Sequence, residues 1–259
     1  MPELPDLTVF AESLQKLVLK KEISDAVYHG NKRLNVEANV FCSSLRNQKI
    51  TRIRRVGKEL LFELGNGDAF LVHLMLAGGF KLGAKDEKVS FPILTIAFND
   101  GQSLVLYDPK GMMNISLNPD LGRFAVDALE FTSHYLEDVF KKKPKAILKS
   151  VLIDQQVLAG IGNAYADEIL WQAKISPRSI VGKHPKDAID KLTSSIHSVL
   201  KDATDYLRKN HPGIISGEIR DFLSVHNPKL KVSPSGAAII VEQIASKKTY
   251  YTEEQILYK

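Results

Sequence analysis

Apolar residues along this chain follow two different spacings in turn. Leu7, Phe10, Leu14, Leu17 and Val18 recur at helical intervals behind Pro2 and Pro5, which bracket an extended terminus. Such a helix is expected to lay one face on a sheet and fix the terminus in place. From Glu22 to about Leu117 the spacing becomes that of strands, over residues 49–55, 59–64, 69–73, 93–98 and 103–107. Gly65-Asn66-Gly67-Asp68 and Asn99-Asp100-Gly101 supply turns between them, so this half reads as antiparallel hairpins in a sandwich or flattened barrel. Pro119 and Gly122 mark a joint within 118–131, after which helical spacing returns over 164–174 and from about 185 to 209. Beyond His211-Pro212-Gly213 the tail is strand-like again, with 236–244 and 247–251 suited to a terminal hairpin. The expectation is an α+β chain of two domains. Residues 1–130 form an N-terminal antiparallel β-sandwich flanked by helices, and 131–259 a helical domain ending in a β-hairpin unit at about 225–259.

Composition narrows this picture. A length of 259 residues suits one large core or two modest ones. Lys and Arg number 35 against 30 Asp and Glu, a net charge of +5 with a pI near 9.1. That balance is compatible with a polyanionic partner, and it is shared by many basic proteins that bind no nucleic acid. Cys42 is the only cysteine, which excludes an internal disulfide and a cysteine-based zinc site within one chain. The sequence shows no signal peptide and no apolar run fit to span a membrane, so no membrane partner is expected. The expected location is intracellular, cytoplasmic or nucleoid-associated.

Candidate chemistry gathers at two places. Gly160 and Gly162 form a tight turn ahead of the helix over 164–174, with Asn163 as its expected N-cap. Free amides and the positive end of the helix dipole can hold a phosphate there, and the same spelling also serves an ordinary helix start. Lys141, Lys142, Lys143, Lys145 and Lys149 lie just ahead of this turn, either as a solvated face or as a stripe facing a polyanion. The second place is the terminus. Removal of Met1 would leave the secondary amine of Pro2, which as an α-amino group titrates at about 8 and is a usable nucleophile at neutral pH.

Ile153-Asp154-Gln155-Gln156, Ala159-Gly160-Ile161-Gly162-Asn163, Tyr165-Ala166-Asp167-Glu168-Ile169-Leu170 and Ala173-Lys174-Ile175-Ser176-Pro177 closely resemble the helix–two-turn–helix signature of the formamidopyrimidine-DNA glycosylase and endonuclease VIII family. Met1-Pro2-Glu3-Leu4-Pro5 resembles the catalytic start of the same family. The resemblance implies a bifunctional DNA glycosylase and abasic-site lyase of base excision repair, acting as a monomer on damaged double-stranded DNA without a cofactor or metal. It assigns Pro2 as nucleophile at the sugar C1′ and Glu3 as its acid–base partner. In Arg54-Arg55-Val56-Gly57-Lys58, Lys58 matches a lysine that reaches the active-site phosphate, and Lys149 is a further candidate for the lesion pocket. DNA contacts are implied at His73, Leu76, Lys110, Gly162, Asn163, Lys247 and Lys248.

The chain also departs from that family. His73-Leu74-Met75-Leu76-Ala77-Gly78 is similar to its H-L-x-M-x-G motif, with Leu76 in place of a void-filling methionine. The companion D-P-R-R-F-G is represented by Asp108-Pro109-Lys110-Gly111-Met112-Met113, so the arginine that pairs with the orphaned base and the phenylalanine that unstacks its neighbour are missing. The tail keeps the outline of a zinc finger without a cysteine and looks like the zincless-finger branch, held by packing through Ile239, Ile240, Tyr250 and Tyr251. Residues 224–233 are shorter than the loop that folds over an oxidised purine in bacterial relatives, which weakens a reading of 8-oxoguanine specificity. Two alternatives follow from the altered loops: a structure- or damage-specific DNA-binding protein without base excision, and a lyase acting only on abasic sites.

Overall fold

The computed structural model describes residues 1–30 and 34–259. The chain divides into two compact units, 1–123 with 206–218, and 124–205 with 219–259.

The first unit opens with α1 (Leu4–Val18), followed by β1 (Ile23–Tyr28) and α2 (Ala38–Leu45). The strands β2 (Ile50–Val56), β3 (Glu59–Leu64), β4 (Ala69–His73), β5 (Gly79–Ala84), β6 (Pro92–Phe98), β7 (Gln102–Tyr107) and β8 (Asn114–Leu117) complete it. They form two four-stranded antiparallel sheets, ordered β1-β6-β7-β5 and β2-β3-β4-β8. The expected hairpins turn through glycines at positive φ, Gly67 at 89° and Gly101 at 82°. Leu7, Phe10 and Leu14 of α1 join Phe62, Phe70, Leu94 and Phe98 in one buried cluster fed by both sheets. Phe62 stacks on Phe70 with ring centroids 4.6 Å apart. Burial of this continuous apolar surface is the main force holding the sandwich together.

Sequence spacing left β1, β5, β8 and α2 unassigned, for local reasons. A bulge between Ile23 and Asp25 breaks the alternation of β1, two glycines dilute β5, and β8 is only four residues long.

The second unit holds α3 (Ser133–Lys142), α4 (Leu148–Ile153), α5 (Asn163–Ala173), most of α6 (Lys186–Asn210) and the hairpin β9 (Ile240–Ile244) with β10 (Lys247–Tyr251). Its core includes Leu152, Ile161, Tyr165, Ile169, Leu192 and Ile196, all fully buried. The division of the chain falls at 123/124 rather than near 130, and 206–218 returns to the first unit. Local bonds explain the return. Arg208 makes a forked pair with Glu12 at 2.8 and 2.9 Å, and Ser216 Oγ both accepts from Phe80 N and donates to Phe80 O. A second correction concerns α5: its N-cap is Gly162, and Asn163 is the first helical residue. Among the described residues no helix is long and apolar enough to cross a membrane.

Candidate catalytic terminus and nucleic-acid interface

Glu3 is the N-cap of α1. Its side chain accepts from the backbone of Asp6, while Asp6 Oδ2 accepts from Glu3 N at 2.9 Å, a reciprocal capping box. Pro5 in the first turn costs no hydrogen bond, since those amides have no helical partner. Pro2 is buried and Glu3 is 4% exposed, so the terminus is held against the first unit rather than fraying. The Met1 ammonium pairs with Glu218.

Lys58 lies in the β2–β3 turn, where Gly57 takes φ 57°. Arg55 ties this turn to α1: its Nε donates to Thr8 Oγ1 at 3.1 Å and another guanidinium nitrogen donates to Gly57 O at 3.1 Å. Lys58 is itself largely buried, at 8% exposure. Its charge reaches His73 at the end of β4, where burial, then Lys58, then Arg123 hold the imidazole below its usual range. Met75 N donates to His73 Nδ1 at 2.9 Å, so the neutral ring carries its proton on Nε2 and can donate to an anion. Arg123 also pairs with Glu59 at 3.2 Å, while burial raises the Glu59 carboxyl.

Two loops leave the same ends of the sheets. The first, 74–78, bridges β4 and β5. Met75 takes φ 56° and presents Leu76 to solvent at 52% exposure. Only glycine fits at 78, where a Cβ would lie 2.4 Å from Leu74 O. The second loop, 108–113, bridges β7 and β8 and is folded around the buried Asp108 carboxylate. That carboxylate accepts from the amides of Lys110, Met112 and Met113. Lys110 is exposed, and the Met113 side chain packs beside Gly78, so the loops are neighbours.

In the second unit the turn between α4 and α5 is braced by Gln155. Its amide donates to Ile153 O and Ile161 O, and its carbonyl accepts from Gly160 N at 3.0 Å, where φ is 112°. Asn163 Nδ2 donates to Lys248 O at 2.8 Å, joining the start of α5 to the hairpin. Lys247 and Lys248 are exposed beside a turn made by Ala245 and Ser246, both at positive φ. Tyr250 is buried as part of the packing expected to hold the hairpin.

Lys149 is a correction. It is fully buried, its ammonium 2.6 Å from Asp167 Oδ1 and 2.6 Å from Thr249 Oγ1, so it joins α4, α5 and β10 instead of facing a lesion. Asp167 Oδ2 further accepts from Tyr250 N at 3.0 Å and sits 2.7 Å from His226 Nδ1. Next to it, Glu168 accepts from the amides of Ser224, Val225 and His226; burial raises this carboxyl, and the amide donors oppose the rise. Sequence reasoning gave neither acid a structural role. The available signal was two adjacent carboxylates in a helix otherwise spelled mostly with apolar residues.

Comparison with known proteins places these two units in one lineage. The family pattern described as formamidopyrimidine-DNA glycosylase N-terminal domain matches residues 1–115, and the one described as formamidopyrimidine-DNA glycosylase H2TH domain matches 122–210. A formamidopyrimidine-DNA glycosylase of Ureaplasma parvum is 35% identical over 77% of each chain. One of Mycoplasma genitalium is 29% identical over 97% of this chain and 94% of its own. The solved complex of Lactococcus lactis Fpg with abasic-site DNA has the same fold, with a TM-score of 0.87 at 23% identity, covering 96% of this chain and 97% of that one. With both domain patterns present in order and a relative this similar over three quarters of its length, the chain belongs to the formamidopyrimidine-DNA glycosylase family.

Proposed function

We propose that this protein excises damaged bases from double-stranded DNA and cleaves the strand at the resulting abasic site. The observation that carries the proposal is the buried, doubly hydrogen-bonded Glu3 next to Pro2 on the family's N-terminal domain. In the processed chain the Pro2 nitrogen attacks the sugar C1′. The C1′–N bond to the base breaks, the base leaving with the bonding pair and with the proton shed by the Pro2 nitrogen; the ring oxygen takes a proton from Glu3 as the ring opens, and an iminium remains. Loss of a C2′ proton then expels the 3′ phosphate by elimination. Lys58 and the neutral, Nε2-protonated His73 stabilise phosphate charge in the first unit. The start of α5 at Gly162 and Asn163, with Lys247 and Lys248 on the hairpin, grips backbone phosphates in the second. Lys110 adds a cation beside Leu76, which fills the space of an extruded nucleotide. The first unit is thus the catalytic domain and the second the DNA-binding domain.

Borohydride trapping of methionine-processed protein on a duplex with one abasic site tests this directly. A covalent adduct is expected, lost when the N-terminus is blocked and slowed or diverted in Pro2→Gly. Gln at position 3 still accepts from Asp6 N, so Glu3→Gln should stay folded while losing base excision. Unchanged rates in both variants would move the active site elsewhere. A parallel panel of ring-opened purines and oxidised pyrimidines assigns the lesion. The second reading, binding without excision, draws on the 108–113 loop, which offers neither an arginine nor an aromatic ring. Tight binding with no adduct would select it.

A further inference from the structure

Among 11 Phe, 8 Tyr and the single Trp, Phe91 alone is exposed, at 59%. Its backbone is also strained. Phe91 takes φ 56°, the left-handed region that bulky residues rarely occupy, and Pro92 restricts it further. Among the described residues the ring packs on no other ring or cation. Strain and exposure combined at one residue point to a use outside the fold.

Its neighbours indicate the use. Asp108 N donates to Phe91 O at 3.0 Å, and the Asp108 carboxylate organises the loop that exposes Lys110. In the sheet, Tyr107 pairs with Gly79 on one side and Pro92 on the other. Leu76, the 108–113 loop and Phe91 therefore follow one another along the same edge. Leu76 is likewise presented by a left-handed residue, Met75. Two strained positions thus hold two apolar tips in solvent on either side of an exposed lysine.

We propose that Phe91 stacks on a nucleobase of the bound DNA, as a second apolar contact beside Leu76. The inference rests on the DNA-binding reading given above. Every base offers a flat π face, so a ring fixed at this edge contributes affinity without reading sequence.

The test uses the full processed chain, a duplex carrying a tetrahydrofuran abasic analogue, and 2-aminopurine placed in turn at each position flanking it. Phe91→Gly relieves the strained φ, so its melting temperature should equal or exceed that of the parent. Its affinity should nevertheless fall about tenfold, with loss of the 2-aminopurine response at one position. Phe91→Trp should restore both. Parental affinity and an unchanged fluorescence pattern in Phe91→Gly would overturn the proposal, as would a loss that Trp does not rescue. If the parent itself fails to bind the duplex, the DNA-binding reading falls, and that result is distinct from a failure at Phe91.

Discussion

His73 owes its protonation state to what surrounds it. Burial and two nearby cations disfavour the imidazolium, and the Met75 amide occupies Nδ1, leaving Nε2–H as the ring's donor. The same arrangement has a thermodynamic signature. The folded-state pKa lies below the unfolded value of about 6.5, so on acidification the unfolded chain takes up this proton first and stability falls as pH drops through 6.5 toward the folded pKa. Above that window the group contributes nothing. His73→Gln should lose less stability than the parent between pH 7.5 and 5.5 in urea unfolding; equal losses would show that His73 titrates normally. At this scale the sequence was most informative where a residue's setting is local. The Pro2-Glu3 start and the run from His73 to Gly78 could be picked out as motifs. The interior place of Lys149 could not, because its hydroxyl partner Thr249 is 100 residues away.

At the scale of elements, α4, α5 and β10 meet around a charged interior instead of an apolar one. Lys149 and Asp167 are both fully buried, and a buried pair of this kind adds little over well-packed apolar residues but is costly to break. Lys149→Met leaves the Asp167 carboxylate without its ammonium and should cost about 3–5 kcal/mol in urea unfolding. The double variant Lys149→Met, Asp167→Leu should recover part of that loss; a single variant as stable as the parent would show that the pair is dispensable. The strands β3 and β4 could be read to the residue because each is a short, mostly apolar run bounded by turn residues. By contrast, the cap of α5 was misplaced by one residue. Asparagine is a good N-cap in isolation, but here its amide is engaged with Lys248 O, and glycine takes the cap.

For the whole molecule, linear order hides the return of 206–218 to the first unit, which depends on the Glu12–Arg208 and Phe80–Ser216 contacts. The two-unit α+β plan was legible, since the change from strand to helical spacing beyond residue 118 is a local pattern of apolar positions that needs no long-range contact to be read. Exposed cations belong to both units, among them Lys110, Lys247 and Lys248. If several of them meet phosphates, affinity for lesion DNA should fall steeply between about 50 and 200 mM salt. Lys247→Ala should make that slope shallower; a flat parental response would count against DNA binding altogether. The terminal hairpin has one more consequence. It contains no thiol, and it is seated by Lys149 on Thr249 and by Asp167 on the Tyr250 amide. Its seating therefore does not run through cysteine ligands, and it presents no thiol for peroxide to oxidise to a sulfenate.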